Sequence, residues 1–394
     1  MAHITMRINK SGQRVFRIRV EVNGTEFQRT YPEKGEPPIP ASWSDKRART
    51  EATKAAAFFE DECRRGLVTN DKRTLSEYAQ YVLNLKANTG AIKPSTIAGY
   101  RRLLSRIESA AIGRVRVRDI TVKDLNGFYQ ELSCAGSNLQ TGGVLSSKTI
   151  REHHSFLSSV LHQAAREGLI AHNPAQNATL PKIEHKEANF YSPERMSAIV
   201  AAIQHEPVFW QAITYLFIGT GARRGEILGL QWSDVDFEGC RLWIRRNVIL
   251  AANQVHIGST KTGRDRVVSI ASDFLKPLQE WKSEQERIFG FVSISGFCFA
   301  LEDPNRTIRP DSVTRYYRRF GVQYNLGHIN PHAFRHSQAS ILLQDGDIVT
   351  ASKRLGHAQT STTMNIYGHM MPATDRAAAD RVGAAFLNIA HDQE

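Results

Sequence analysis

At 394 residues, with 41% hydrophobic and 23% charged residues, the chain is too long for one ordinary hydrophobic core; about two or three globular domains are expected, with three the preferred reading. Its 51 Lys and Arg against 39 Asp and Glu leave a net charge of +12 and a pI near 9.6, which favours a polyanionic partner, nucleic acid or an acidic membrane surface. No apolar run is long enough to span a bilayer, "MAHITMRINKSGQRVF" lacks a secretory core, and Cys63, Cys134, Cys240 and Cys298 have no C-x-x-C spacing, so the chain reads as cytosolic, with no disulfide framework, no structural zinc site and small buried cysteines.

In chain order, residues 4–31 predict a small antiparallel sheet. In "RVFRIRVEV", Phe16, Ile18, Val20 and Val22 alternate with Val15, Arg17, Arg19 and Glu21, and Asn23-Gly24 supplies a hairpin turn. "ITMRIN" joins in front through Ser11-Gly12, "TEFQRTY" is the third strand, and "KGEPPIPASW" breaks the pattern before a helix from Ser44 to Arg65. Thr74 with Glu77 and Thr121 with Asp124 are capping-box patterns that open helices. Further helices run from Pro94 and from Ser147 to Gly168, so 73–173 is an all-helical unit. The prolines of 174–190 read as a linker, and Ser192-Pro193 starts a mixed, mainly helical domain with a β-rich stretch at "CRLWIRRNVIL" and "RDRVVSI". The fold class is therefore multidomain, mainly α with small β, divided as 1–72, 73–173, linker 174–190 and 191–394. Residues 1–72 carry +4, 73–187 carry +6 and 188–394 carry +2, so the surplus positive charge lies in the first two domains, as in modules that grip nucleic acid.

Four stretches of the last domain place polar residues where apolar ones are expected. In "TGARRGEILGLQW", helical spacing sets Arg223, Glu226, Ile227 and Leu230 on one face, with Arg224 turned away, and Glu226 able to hold Arg223; a structural ion pair would look the same. In "NPHAFRHSQASILL", Asn330 and Pro331 begin a helix whose first turn carries His332 and Arg335, an arrangement suited to phosphate. Lys261 of "STKTGRDRVVSI" sits at a Thr-Gly turn between strands, where a flexible cation is presented or simply solvated. In "LGHAQTSTTMNIYGH", Gly356 ends a helix and leaves His357 in a loop, and the Thr-Ser-Thr-Thr hydroxyls start a short helix that reaches Tyr367 before Gly368. Two Arg, two His, a Lys and a Tyr are together the parts for phosphoryl transfer without metal.

"TGARRGE", "TKTGR", "HAFRH" and "LGHAQTSTTMNIYGH", in this order, resemble the tyrosine recombinases, or phage-type integrases. The resemblance is strongest over 190–385; the helical unit is similar to the family's core-binding domain, and the N-terminal sheet to an arm-site-binding domain. It implies a site-specific DNA recombinase of a phage or integrative element in which Tyr367 attacks a scissile phosphate, leaving a 3′-phosphotyrosyl bond and a free 5′-hydroxyl. Arg223 and Arg335 would clamp the phosphate, His332 and His357 would donate hydrogen bonds or move a proton, Lys261 would protonate the 5′-oxygen, and Glu226 would orient Arg223 or His332. The phosphotyrosyl bond conserves the energy for rejoining, so no metal or nucleotide cofactor is expected.

The resemblance further implies a homotetramer on two duplexes, core-type and arm-type sites, and an excisionase and DNA-bending host factors as partners, with no membrane. Expected DNA contacts outside the catalytic set are Arg17 and Arg19 of the sheet and Arg101, Arg102, Lys148 and Arg151 of the helical unit. Val382, Ala385, Phe386 and Ile389 make the C-terminal tail an amphipathic helix for docking on a neighbour or on its own domain. The alternatives are a Xer-like chromosome resolvase, a non-catalytic DNA-binding regulator, and, from "KTG", a penicillin-recognising serine hydrolase, which lacks its Ser-x-x-K.

Overall fold

In the computed structural model the chain forms two compact units, 1–184 and 185–394. The structure describes residues 2–33, 36–64, 71–183, 190–260, 263–344, 348–356, 359, 361 and 364.

The first unit opens with strands β1 (His3–Ile8), β2 (Arg14–Val22) and β3 (Thr25–Tyr31) in an antiparallel sheet of that order. Asn23 and Gly24 turn the second hairpin with φ of 48° and 76°, the left-handed pair that an Asn-Gly turn supplies. Helix α1 (Asp45–Arg64) covers one face: Phe16, Ile18 and Val20 are buried against a side of α1 carrying Ala48, Ala52, Ala56, Phe59 and Cys63. The alanines recur every four residues, so the helix backbone comes close to the sheet. The segment that breaks the strand pattern is tied back onto the sheet. Arg14 donates from Nη1 to Asp45 Oδ1 (2.7 Å) and from Nη2 to the Pro40 and Trp43 carbonyls (3.0 and 2.8 Å), and Ile39 is buried.

Helices α2 (Leu75–Asn88), α3 (Pro94–Ser109), α4 (Val122–Leu132) and α5 (Ser147–Arg166) enclose a second core around Tyr78, Leu104, Phe128, Phe156 and Leu161. Both predicted capping boxes are formed, with Thr74 and Thr121 each accepting from the backbone three residues on. Gly113 has no room for a side chain, because a Cβ there would lie 2.2 Å from the Ile107 carbonyl oxygen. The structure corrects the linker boundary: Pro174 and Ala175 are buried, and Ala178 and Leu180 pack on this core. Two prolines and no apolar period made the segment look free, whereas Asn173 pins it by donating from Nδ2 to the Ser158 carbonyl (3.0 Å). Of the cysteines, Cys63 and Cys298 are buried and Cys240 half-buried, but Cys134 is exposed, because it follows the last turn of α4 and its thiol faces the Gln130 carbonyl.

The second unit is built on α6 (Pro193–Ile203), α7 (Val208–Thr220) and the short α8 (Arg224–Leu228), followed by β4 (Val235–Asp236), β5 (Arg241–Ile244), β6 (Arg246–Ala251), β7 (Gln254–Ser259) and β8 (Arg266–Ser269). Helices α9 (Ser272–Phe289), α10 (Pro310–Gln323), α11 (Pro331–Gln344) and α12 (Ile348–Leu355) complete it. The β-rich stretch makes two sheets, β4-β5-β8 and β6-β7. The break falls at Arg245, where buried Asp234 accepts from Arg245 (3.3 Å) and Arg246 (2.5 Å). The main core gathers Phe217, Ile227, Trp281, Phe299, Tyr317, Phe320 and Phe334. Among the described residues no helix is long and apolar enough to cross a membrane.

Candidate active site

Helix α7 ends at Gly221, whose φ of 61° requires the left-handed conformation. The carbonyls of that end are taken up by side chains from α11 and α12. Gln338 Nε2 donates to the Ile218 and Gly219 oxygens (3.1 and 2.8 Å), Arg354 Nη2 to Gly219 (2.7 Å), and Arg335 Nη1 to Gly221 (3.0 Å). Cations at the negative end of a helix are favourably placed, which offsets part of the cost of burying Arg335 to 2% exposure and of half-burying Arg354.

Two residues after Gly221, Arg223 stands before the first turn of α8 in extended backbone, and Glu226 caps that end by accepting from the Arg223 backbone N–H. This corrects the helical-wheel reading, since the helix begins at Arg224 and ends before Leu230, so the wheel does not apply to Arg223. The pairing itself is present: Glu226 Oε1 accepts from Arg223 Nη1 (2.8 Å) and Oε2 from the Arg223 backbone N–H (2.9 Å). Arg224, expected to face away, is half-buried against α10 and donates to Thr314. It lines a cleft of about 300 Å³ with His328, Asn330 and His332.

Asn330 caps α11 as predicted, its Oδ1 accepting from the His332 N–H (3.0 Å). Tyr191 fixes this end, accepting from the Asn330 N–H at 2.7 Å. His332 is exposed and its ring lies edge-on to that of His336, 4.8 Å between centroids. Burial, then the charge of Arg335, lowers the pKa of His336 and favours its neutral form.

The sequence reading missed Arg266. It is nearly buried and donates from Nη2 to Glu226 Oε2 (2.7 Å) and from Nε to the Arg354 carbonyl (3.0 Å). Burial raises the Glu226 pKa, but the hydrogen bond and charge of Arg266, followed by those of Arg223, outweigh it and hold the carboxyl below its ordinary value. One signal was available: in "RVVS" Arg266 shares the strand face of buried Val268, a position normally apolar.

Gly356 ends α12 as predicted, with φ of 68°, and its carbonyl lies 3.5 Å from Arg223 Nη2. Lys261, His357 and Tyr367 lie outside the described residues, as does the C-terminal tail. Around Lys261, Thr260 is buried with Oγ1 donating to the Arg264 carbonyl (2.9 Å), and the Gly263 N–H donates to the Thr260 carbonyl (3.0 Å). The strands on either side, β7 and β8, pair in different sheets, so they are not partners in a hairpin.

Of the expected DNA contacts, Arg101, Arg102 and Lys148 are exposed, and Arg17 and Arg19 are half-exposed on the face of the sheet opposite α1. Arg151 is half-buried, its Nε donating to the Pro181 carbonyl (3.0 Å), so it also holds the chain segment that follows α5.

Residues 189–373 match the phage integrase family and residues 59–180 its SAM-like domain. The chain belongs to the tyrosine recombinase family. Among curated relatives, the ICEBs1 integrase of Bacillus subtilis (strain 168) is 27% identical over 294 residues, 74% of this chain and 78% of that one. The fold is shared with the Tn1549 transposon integrase in complex with a circular intermediate DNA (TM-score 0.65, 20% identity, 79% of this chain and 99% of that one). It is shared also with a lambda integrase tetramer bound to a Holliday junction (TM-score 0.54, 18% identity, 90% and 96%). This tyrosine recombinase is therefore a DNA-binding, site-specific recombinase that breaks and rejoins DNA strands. The arginines and histidines at α8 and α11 lie within the residues matched to the phage integrase family.

Proposed function

We propose that the enzyme is the integrase of a mobile element and that it cuts DNA with Tyr367. The observation that supports this best is the pair of anchored guanidinium groups, Arg223 held by the Glu226 carboxylate and Arg335 by the Gly221 carbonyl at the α7 terminus. Planar forks match the non-bridging oxygens of a phosphate, and preorganised charge is worth most where burial has removed water. In the reaction the Tyr367 oxygen bonds to phosphorus while the P–O5′ bond breaks. The phenolic proton passes to a neighbouring base, with His332 and His357 as candidates, and Lys261 supplies a proton to the departing 5′-oxygen. Attack of that hydroxyl, or of one from a second duplex, reverses the steps and rejoins the strand.

Arg335→Lys tests the clamp, because it keeps the charge and loses the fork. On a nicked core site it should bind normally and cleave about 10²- to 10³-fold more slowly than wild type. Cleavage within a few-fold of wild type would remove Arg335 from the phosphate.

The domains follow as 1–72 for arm-type sites, the helical unit from 73 with the segment through Leu180 packed on it for core-type sites, and 191–394 for catalysis, acting as a homotetramer on two duplexes. Excisionase and DNA-bending host proteins would set direction, and the setting is the cytoplasm, on the nucleoid. The lambda integrase tetramer supports the assembly by analogy of fold. A β-sheet with Arg17 and Arg19 on its open face suits a major groove. Deleting residues 1–72 should abolish binding to arm-type DNA and leave cleavage of an isolated core site; loss of core cleavage by a folded deletion variant would assign the sheet another task. The same sheet favours an element-encoded integrase with two classes of DNA site over a chromosome resolvase.

A further inference from the structure

We infer that Arg266 is a positioning residue for cleavage, which fastens the Glu226 carboxylate, and through it Arg223, to the C-terminal turn of α12. The inference rests on the proposed contact between Arg223 and the scissile phosphate.

The hydrogen bonds form a closed circuit. Glu226, whose side chain is fully buried, gives Oε1 to Arg223 Nη1 (2.8 Å) and Oε2 to both the Arg223 N–H (2.9 Å) and Arg266 Nη2 (2.7 Å). Arg266 reaches on through Nε to the Arg354 carbonyl (3.0 Å), and Arg223 Nη2 returns to the Gly356 carbonyl (3.5 Å). The Arg266 guanidinium lies against Gly356 so closely that a Cβ there would be 2.9 Å from Nη1 and 3.0 Å from Cζ. Glycine is thus required both for its φ of 68° and for this approach. Strand β8, which begins at Arg266 just beyond the Lys261 turn, is thereby joined to the turn that precedes His357 in the sequence.

Charge gives the circuit its consequence for the reaction. Two guanidinium groups share one carboxylate, so the trio carries a net positive charge available to a phosphate. Without Arg266, Arg223 becomes the sole counter-ion of a buried carboxylate, and the pair is neutral. A lysine would restore the charge but not the fork that reaches Glu226 and Arg354 together.

The test compares a natural scissile phosphate with a methylphosphonate, in which a methyl group replaces one non-bridging oxygen, so that the diester is neutral and one fewer negative charge has to be stabilised during attack. Full-length wild type, Arg223→Ala, Arg266→Ala and Arg266→Gln are assayed for core-site binding, thermal melting and single-turnover cleavage. Arg266→Gln keeps a donor for the Arg354 carbonyl without the charge, and is the variant that decides the matter if Arg266→Ala fails to fold. Both Arg266 variants should bind normally and cleave natural DNA on the order of 10²-fold more slowly. On methylphosphonate DNA their defect should shrink to within about tenfold of wild type, in parallel with Arg223→Ala. An equal defect of Arg266→Gln on both substrates, with Arg223→Ala recovering, would make Arg266 a purely structural residue and overturn the inference. Failure of Arg223→Ala itself to recover would instead overturn the reading of Arg223 at the phosphate, and this inference with it.

Discussion

Tyr367→Phe is expected to bind core-site DNA with wild-type affinity and to form no covalent protein–DNA complex. The substitution removes one oxygen and keeps the ring, so packing and DNA contacts made by the ring persist while the atom that bonds to phosphorus is gone. A phenol titrates near pH 10 in isolation, so the hydroxyl is a poor nucleophile unless the site favours its phenolate and withdraws charge from the phosphate. No neighbouring hydroxyl would inherit both tasks, because in-line attack fixes the reacting oxygen to within a fraction of an ångström. Denaturing gels of a nicked core site read the outcome; a covalent species surviving in Tyr367→Phe at more than a trace would show that another residue is the nucleophile.

The second large effect belongs to Lys261. An alkoxide leaves poorly in water, and a positioned acid contributes a factor of about 10² to 10⁴ in rate, so Lys261→Ala should cleave ordinary DNA slower by that factor. A thiolate departs without a proton. With sulfur in the bridging 5′ position, Lys261→Ala should therefore cleave nearly as fast as wild type. Next to the lysine, Thr260 Oγ1 donates to the Arg264 carbonyl and the Gly263 N–H to the Thr260 carbonyl. A defect that stays equally large with sulfur would leave Lys261 to charge stabilisation or to holding the turn, with His332 the next candidate acid.

Much of the fold was legible because its signals are local. Phe16, Ile18 and Val20 alternate with polar residues, and all three are buried on α1. Thr74 and Thr121 carry their acidic partners three residues on, and both boxes are formed. The site was legible in its residue types and spacing, but not in its wiring. Arg223 looked like a member of a helix face because Glu226 lies at helical distance, yet the helix starts one residue later and the pair is a cap. Arg266 gave a weaker sign, since its partners Glu226 and Arg354 stand 40 and 88 residues away and periodicity carries no information at that range. The same limit applies to Ala175, which reads as linker until Asn173 is seen bonded to Ser158 of α5. Likewise, nothing local to "TKTGR" reveals that β7 and β8 pair in different sheets.

The central claim is that this tyrosine recombinase links itself to DNA through Tyr367, and the identity of the linked residue tests it most directly. Wild-type enzyme trapped on a nicked core site, digested with protease and nuclease and sequenced by mass spectrometry, should give one nucleotide-bearing peptide, from the stretch "TTMNIYGH". The adduct should be on Tyr367 and join the 3′-phosphate, leaving a free 5′-hydroxyl on the released strand. An adduct on any other residue, or a link to the 5′ side of the break, would contradict the account.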